Sequence, residues 1–241
     1  MKRVKKTGKM YFYTFFICIM LLFLLTLPFS VRGGVGERKD IANVYSHKEN
    51  SDMKIAMTFD DGPHGTKTSE ILDILKKHSV PATFFVIGEN VEKYPDIIKR
   101  EIAEGHEIGN HTYTHFAISD SNISGMAEEI LKAENSVYEI AEYRPKLFRP
   151  PEGRCNENIA SVAASLDYSV ILWNIDTRDW AHTSRDSMVS MVLNNIESGD
   201  IVLFHDSVSG RSSTAEALEI IIPRLKEKGY IFVTVSELLD S

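Results

Sequence analysis

Apolar positions along the chain follow two spacings, one typical of strands and one typical of helices. Short apolar or alternating runs predict strands at 54–59, 82–87, 106–108, 146–148, 169–174, 201–204 and 231–233. Apolar residues that recur three and four positions apart predict helices at 68–78, 91–104, 125–142, 157–166, 184–196 and 214–228. Strands and helices therefore follow one another along almost the whole chain after residue 50.

This alternation predicts an α/β fold in which helices cover a parallel sheet. About seven strands in roughly 190 residues are too few for a complete (β/α)₈ barrel, which takes about 250 residues. The sequence therefore favours a distorted or incomplete (β/α) barrel, and a doubly wound open sheet is the alternative. In both folds the functional side chains gather at the carboxyl ends of the strands.

The N-terminal part of the chain has a different pattern. Residues 10–29 carry no charge, and five basic side chains precede them. Because about 20 apolar residues span a bilayer core, we expect 1–31 to be a basic N-terminus with a transmembrane signal-anchor helix. A cleavable signal peptide is the alternative. The basic cluster would stay in the cytoplasm, which places the linker expected at 32–50 and the main domain at 51–241 outside the membrane.

The charge distribution argues against nucleic acid as a partner. Five of the 27 lysine and arginine residues lie within 1–31, so the rest of the chain carries 22 basic against 34 acidic side chains. Such a surface repels a phosphate backbone, and no basic stripe offsets it. The main domain contains one cysteine, Cys155, which is more typical of a small apolar residue than of a nucleophile.

Two acidic residues follow the first strand of the main domain. Asp60 and Asp61 precede a Gly-Pro pair, and the backbone at a strand end points adjacent carboxylates in different directions. One carboxylate can then bind a metal ion while the other accepts a proton. An acidic turn without further function is the alternative for this pair taken alone.

A pair of histidines follows the third predicted strand. His111 and His115 are four residues apart, a spacing that would place both imidazoles on one side of a helical turn. With Asp61 they form a set of two histidines and one aspartate, which suits Zn²⁺ or another divalent ion in an open catalytic site. The sequence therefore predicts a metal centre at the carboxyl edge of the sheet.

Further polar side chains follow the later strands. His205 comes directly after the strand at 201–204, and Asp176 is expected to hydrogen-bond it and raise the pKa of its imidazole. Arg149 can orient a carboxylate through its planar guanidinium, and a surface ion pair is the alternative. Trp180 is either a core residue or a surface on which a sugar ring stacks.

Five segments in chain order carry a family resemblance. They read TFDDGP, HTYTH, RPPEG, DTRDW and LFHD. In this order they resemble the motifs of the polysaccharide deacetylases, a family also described as the NodB-homology domain or carbohydrate esterase family 4. Each segment alone is a weak signal, but the ordered set is specific, and the resemblance spans roughly residues 52–238.

The resemblance implies metal-dependent hydrolysis of an acetyl group on a carbohydrate. The implied ligands of one divalent metal ion, usually zinc and sometimes cobalt, are Asp61, His111 and His115. The implied general base and acid, each with the residue that orients it, are Asp60 with Arg149 and His205 with Asp176. The residues implied to contact the acetyl group and its oxyanion are Leu203, Trp180 and, through its backbone N–H, Glu152.

One position departs from the family pattern. Glu152 stands where the family usually has an aromatic residue, and it adds negative charge near the predicted cleft. The RPPxG form resembles the branch that acts on muramic acid. We therefore expect de-N-acetylation of peptidoglycan, at N-acetylglucosamine or N-acetylmuramic acid, in a bacterial cell membrane. The alternatives are deacetylation of chitin-type oligosaccharides or acetylated xylan, and a non-catalytic wall-binding protein.

Overall fold

The structure is a computed structural model, and it describes residues 42–49, 52–119, 122–210 and 212–241. The expected membrane segment and most of the expected linker lie outside these residues. Within the described ranges, no helix is long and apolar enough to cross a membrane.

Nine strands of the described chain form one parallel sheet. They are β1 Val44–Tyr45, β2 Lys54–Asp60, β3 Thr83–Val86, β4 Glu107–Asn110, β5 Leu147–Phe148, β6 Ser169–Ile171, β7 Ile175–Asp176, β8 Ile201–His205 and β9 Ile231–Val233. The pairing order is β1-β6-β5-β4-β3-β2-β8-β7, and β9 pairs with the first residues of β2. The sheet curls into a distorted, incomplete barrel, as the sequence predicts.

Seven of the eight described helices connect strands and cover the outside of the sheet, and the last one packs Val235 and Leu238 in a cluster with Ala56 and Ile201. The helices are α1 Lys67–His78, α2 Gly88–Lys93, α3 Pro95–Ala103, α4 Ile123–Ala141, α5 Glu157–Ser165, α6 Arg185–Asn195, α7 Thr214–Glu227 and α8 Val235–Leu239. Two short 3₁₀ turns, Pro151–Gly153 and Asp179–Ala181, follow β5 and β7. These turns matter for function because both lie at the carboxyl edge of the sheet.

The helix predicted at 91–104 is in fact two helices. Proline has no N–H to donate and disfavours helical backbone at the preceding residue. Tyr94 accordingly has a φ of −129°, and α3 begins at Pro95. The helix predicted as one is therefore interrupted at Tyr94.

The sheet also contains more strands than expected. β1 lies in residues that were predicted to be a linker, where Val44 and Tyr45 pair with Val170 and Ile171. The strand predicted at 169–174 ends earlier, as β6 at Ile171, and β6 pairs with β5. A separate strand that was not predicted, β7, follows and pairs with β8. These strands are two or three residues long, too short for a period-2 pattern to locate.

Alternation along the strands decides which side chains face the barrel interior. The outward side chains of β2, packed beneath the helices, are Ile55, Met57 and Phe59. Ala56 belongs instead to an interior cluster that includes Ile201 of β8. Because successive side chains point to opposite faces, Asp60 faces the same way as Ala56, and His205 the same way as Ile201. The interior is therefore apolar at the amino ends of these strands and polar at their carboxyl ends.

An aromatic row on the outer face holds β2 between its neighbours. The ring centroid of Phe59 lies 5.0 Å from that of Phe84 on β3 and 5.6 Å from that of Phe204 on β8. Each such pair contributes about 0.5–1.5 kcal/mol beyond its burial. The strand that carries Asp60 is therefore fixed on both sides.

Candidate active site

The backbone points Asp60 and Asp61 in different directions, as the sequence predicts. Asp60 is the last residue of β2, and its side chain is buried. Asp61 has a φ of 74°, in the left-handed region, so its side chain departs from the alternation of the strand. Its Oδ1 atom is buried and has no hydrogen-bond partner among the described residues. The two carboxylates therefore lie in different surroundings, and one can accept a proton while the other binds a metal ion.

The two histidines approach Asp61 from an irregular turn after β4. The predicted helical turn is wrong, because Thr112 and His115 have φ values of 67° and 57°, outside the helical region. The turn nevertheless brings the imidazole centroids within 5.1 Å of each other. The Nε2 atoms of His111 and His115 lie 3.5 and 3.4 Å from Oδ1 of Asp61.

These three side chains fit a divalent metal ion. Nδ1 of His111 lies 2.7 Å from the carbonyl oxygen of Arg149, so Nδ1 carries the proton and donates it. In the neutral imidazole of His111, Nε2 then presents a lone pair towards the carboxylate of Asp61, an arrangement of two acceptors that suits a cation between them. One ligand atom from each of the three residues lies within 4.8 Å of the others. Three protein ligands leave a coordination position open, as in catalytic zinc sites.

The electrostatics keep Asp61 ionised. Burial by itself would raise the pKa of its carboxyl, but the neighbouring imidazole of His111 opposes this, and the pKa falls to about 2. Asp61 is thus a carboxylate at any pH near neutrality.

Arg149 is fully buried and holds Asp60. Its Nη1 donates to Oδ1 of Asp60 at 2.7 Å and to the hydroxyl of Thr58 at 2.8 Å. Its Nε and Nη2 donate to the carbonyl oxygens of Ile171 and Leu172, each at 3.1 Å. With these bonds satisfied, the guanidinium fixes the Asp60 carboxylate, and the surface ion pair considered from the sequence is excluded.

His205 is oriented by Asp179 and not by Asp176, which corrects the sequence prediction. Oδ1 of Asp179 lies 2.8 Å from Nδ1 of His205, and Oδ2 accepts from the backbone N–H of His205 and the hydroxyl of Thr214, both at 2.8 Å. Asp176 instead accepts from the N–H of Arg178. The 3₁₀ turn after β7 brings Asp179 back towards β8, which spacing along the sequence did not indicate.

The surroundings of His205 favour its protonated form. Burial by itself would lower the pKa of the imidazole, but the hydrogen bond with Asp179 and the charge of Asp60 outweigh it and raise the pKa to about 9. Because Nδ1 is engaged by Asp179, Nε2 is the nitrogen left to donate a proton.

A cleft of about 500 Å³ lies over these groups. Its walls, beyond the base, acid and metal ligands, are formed by Glu152, Trp173, Asp176, Trp180 and Leu203. Trp180 is 50% exposed, which supports a binding surface and excludes a core position. Glu152 has a φ of 60°, and its carboxylate pairs with Arg154 at 2.7 Å. The cleft thus combines aromatic walls with a charged rim.

Sequence reasoning missed Asp179 and Trp173. Asp179 belongs to the same DTRDW segment as Asp176, but the predicted strand end favoured the nearer aspartate. Trp173 follows β6 by two residues and lines the cleft. Residues that directly follow a strand tend to lie at the site. The predicted strand ran to residue 174, and an end at Ile171 would have marked Trp173 as a candidate.

The chain is similar to known deacetylases in sequence. The family model described as polysaccharide deacetylase matches residues 47–171. A peptidoglycan-N-acetylglucosamine deacetylase of Bacillus cereus is 45% identical over 192 residues, which cover 79% of this chain and 90% of that protein. The peptidoglycan-N-acetylmuramic acid deacetylase PdaC of Bacillus subtilis is 38% identical over 184 residues, covering 76% of this chain and 38% of that protein.

The fold shows the same similarity. The crystal structure of the Bc1960 peptidoglycan N-acetylglucosamine deacetylase superposes with a TM-score of 0.75 at 38% identity. The match covers 83% of this chain and 94% of that one. Motifs, fold and sequence identity agree, and the chain belongs to the polysaccharide deacetylase family.

Proposed function

We propose that this protein is a metal-dependent deacetylase that removes acetyl groups from the N-acetylated sugars of peptidoglycan. The observation that carries the proposal is the pairing of Asp60 with His205 in adjacent strands, beside the Asp61, His111 and His115 cluster. The relatives named for peptidoglycan-N-acetylglucosamine and N-acetylmuramic acid deacetylation support the substrate class.

Asp61, His111 and His115 would hold one divalent ion, for which we propose zinc, with cobalt as the alternative. The chemistry that such an ion supplies is polarisation of the acetamide carbonyl and a lowered pKa of water.

Asp60 is the general base. Arg149 holds Oδ1, and Oδ2 lies 3.8 Å from Nε2 of His111, so the free oxygen faces the metal ligands. It takes a proton from water as the water oxygen bonds to the carbonyl carbon. Proton transfer of this kind accelerates a reaction by about 10²–10⁴-fold.

His205 is the general acid. Its raised pKa keeps it protonated at neutral pH, and it gives that proton to the sugar nitrogen as the carbon–nitrogen bond breaks. The products are acetate and a free amine, and no covalent intermediate with the protein is required. The backbone N–H of Glu152, on the cleft wall, would stabilise the oxyanion before the bond breaks.

The cleft walls support a sugar substrate. Trp173 and Trp180 offer flat apolar surfaces for sugar rings, and Leu203 lies close to His205, where the acetyl methyl group would fit. Glu152 and Arg154 add a charged pair where an aromatic residue is usual in the family. This pair would affect whether N-acetylglucosamine or N-acetylmuramic acid is accepted.

We further propose that the apolar segment 10–29 anchors the protein in the bacterial cell membrane with the catalytic domain outside. Its length and the basic residues before it support this topology. The intact mass of protein extracted from membranes tests this topology. An uncleaved anchor gives the mass of the whole chain, whereas cleavage of a leader lowers the mass by that of the leader and releases the protein from the membrane.

The test of function uses the full chain, purified in mild detergent and loaded with zinc. Acetate is measured after incubation with peptidoglycan, N-acetylglucosamine oligomers and acetylxylan. We expect acetate from peptidoglycan, and mass spectrometry of the products identifies the sugar. Acetate from acetylxylan alone would favour an esterase. Folded, zinc-loaded protein that binds glycan without releasing acetate would favour a wall-binding role.

A further inference from the structure

The turn that carries both histidines is held by a side chain from another element. Glu129 lies in α4, and its Oε2 accepts three hydrogen bonds from this turn. The donors are the N–H of Tyr113 at 3.0 Å, the N–H of Thr114 at 2.8 Å and the hydroxyl of Thr114 at 3.1 Å. Tyr113 and Thr114 lie between His111 and His115 in sequence, so one carboxylate oxygen contacts the segment that sets the separation of the two imidazoles.

The turn needs such support because its backbone is strained. Thr112 and His115 both have positive φ values, a conformation that costs of order 1–3 kcal/mol for each residue and persists only where neighbours enforce it. The N–H of Thr112 donates to Oδ1 of Asn110 at 2.9 Å, and the carbonyl of Thr112 accepts from Gly88 at 3.1 Å. These contacts hold the first half of the turn.

The half of the turn that leads into His115 has contacts of its own. The N–H of Glu89 donates to the carbonyl of Tyr113, and the N–H of Phe116 donates to the hydroxyl of Thr112. Glu129 adds a charged side chain, which accepts from backbone N–H groups of this half.

α4 is a firm support for this contact. Its buried face includes Met126, Ile130 and Ala133, of which Met126 and Ala133 are neighbours of Glu129 on the helix surface. The carbonyl oxygen of Ile130 also accepts from the side-chain amide of Asn110 at 2.9 Å. The helix therefore forms hydrogen bonds with both the start and the middle of the turn, although it supplies none of the three proposed metal ligands.

We infer that Glu129 is a positioning residue for the metal centre. It fixes the backbone before His115, and without it that imidazole would no longer be held against Asp61. The side chain of His115 is 39% exposed, against 3% for His111, so His115 is the ligand that packing restrains less. This inference rests on the proposed function, since it takes Asp61, His111 and His115 as the metal ligands.

The experiment compares the zinc affinity of full-length variants by competition with a chromophoric chelator. Removing a group that orients a metal ligand typically weakens binding by about 10–100-fold. We expect that loss for Glu129→Ala and for Glu129→Met, which keeps the length of the side chain if alanine impairs folding. Glu129→Gln retains an acceptor oxygen and is expected to bind zinc within a few-fold of the wild type. Glu128→Ala, an exposed change of equal charge on the same helix, should leave the affinity unchanged.

Two results would overturn the inference. One is a Glu129→Met variant, folded by circular dichroism, whose zinc affinity lies within twofold of the wild type. The other is a Glu129→Gln variant as weak as Glu129→Met, because the accepted hydrogen bonds would then be irrelevant. In both cases a wild type that binds zinc and releases acetate leaves the proposed function standing. A wild type that binds no zinc removes the metal assignment and the inference together.

Discussion

Asp60 and Asp61 are neighbours in sequence, but their surroundings give them separate tasks. Asp60 stays within the strand, where the buried Arg149 neutralises and orients it. The positive φ of Asp61 turns the next carboxylate towards the two imidazoles. A single backbone conformation thus separates a proton acceptor from a metal ligand.

Replacement of Asp60 by asparagine tests this division. Asp60→Asn should lower turnover by about 10²–10⁴-fold, since an amide cannot take the proton of water. Zinc content, measured by elemental analysis, should stay at the wild-type level because the ligands are unchanged. Loss of the negative partner of a buried arginine should also lower the free energy of unfolding, by about 3–5 kcal/mol. Turnover close to that of the wild type would remove Asp60 from its role.

The two aspartates near β7 can be separated by a pH profile. Asp179 raises the pKa of His205 to about 9, and the acid form of His205 is lost as the pH rises through that value. Asp179→Asn should therefore shift the alkaline limb of turnover to lower pH, towards the ordinary histidine value of 6.5. Asp176→Asn should leave the limb in place. Turnover measured from pH 5 to 10 distinguishes the two aspartates. A shift of the alkaline limb in Asp176→Asn but not in Asp179→Asn would contradict the assignment of Asp179 as the partner of His205.

At the scale of elements, β3 and β4 meet through a position that admits no side chain. A Cβ added at Gly109 would lie 2.4 Å from the ring of Phe85 on the neighbouring strand. That ring in turn packs 4.0 Å from the guanidinium of Arg149. The spacing of the two strands is therefore linked to the position of the residue that holds the general base.

Gly109→Ala should destabilise the protein by about 1–3 kcal/mol, the usual cost of overpacking a filled core. It should also lower turnover, because displacement of Phe85 disturbs Arg149. Gly125→Ala is the matched control. Its Cβ would come 3.2 Å from the far end of the Phe116 ring, and alanine favours a helix over glycine by up to about 1 kcal/mol. Urea unfolding of both variants measures the two free energies of unfolding. Equal values for Gly109→Ala and Gly125→Ala would refute the close contact between Gly109 and Phe85.

The same scale shows what the sequence can predict. Long elements such as α4 and α7 repeat their apolar pattern over several turns, and β2 and β8 are rich in apolar residues before their polar ends, so the sequence located all four. β1, β7 and α8 are too short to repeat a pattern. In the site, residues at predicted strand ends came together as expected, including Asp60, Arg149 and His205. Asp179 and the irregular turn at His111 depend on local φ values that no spacing reveals.

At the scale of the whole molecule, one buried acid makes folding sensitive to pH. Glu101 of α3 is 0% exposed, and neither carboxyl oxygen has a hydrogen-bond partner among the described residues. Burial, helped by the charge of Asp206, raises the pKa of Glu101 well above 4.5. The folded protein therefore keeps a proton that the unfolded chain releases near pH 4.5.

The sign of the effect follows from this difference. The contribution of Glu101 to stability is fully present below pH 4.5 and is lost as the pH rises towards the folded pKa. The loss amounts to about 1.4 kcal/mol for each pH unit in that interval. Glu101→Gln should therefore stabilise the protein more at pH 8 than at pH 5, as measured by urea unfolding. The exposed change Glu128→Gln should show no such difference, and a parallel shift at both pH values would exclude ionisation of Glu101.

The two tryptophans of the chain, Trp173 and Trp180, both line the cleft. The tryptophan fluorescence of the protein therefore originates entirely at the surface proposed to bind sugar. Trp180 is half exposed, and a sugar ring stacked on it would replace water beside the indole and move the emission to shorter wavelength. Trp180→Phe should reduce that response to what Trp173 contributes. The unlabelled protein thus carries its own optical probe of glycan binding, which reports occupancy even in variants that cannot turn the substrate over.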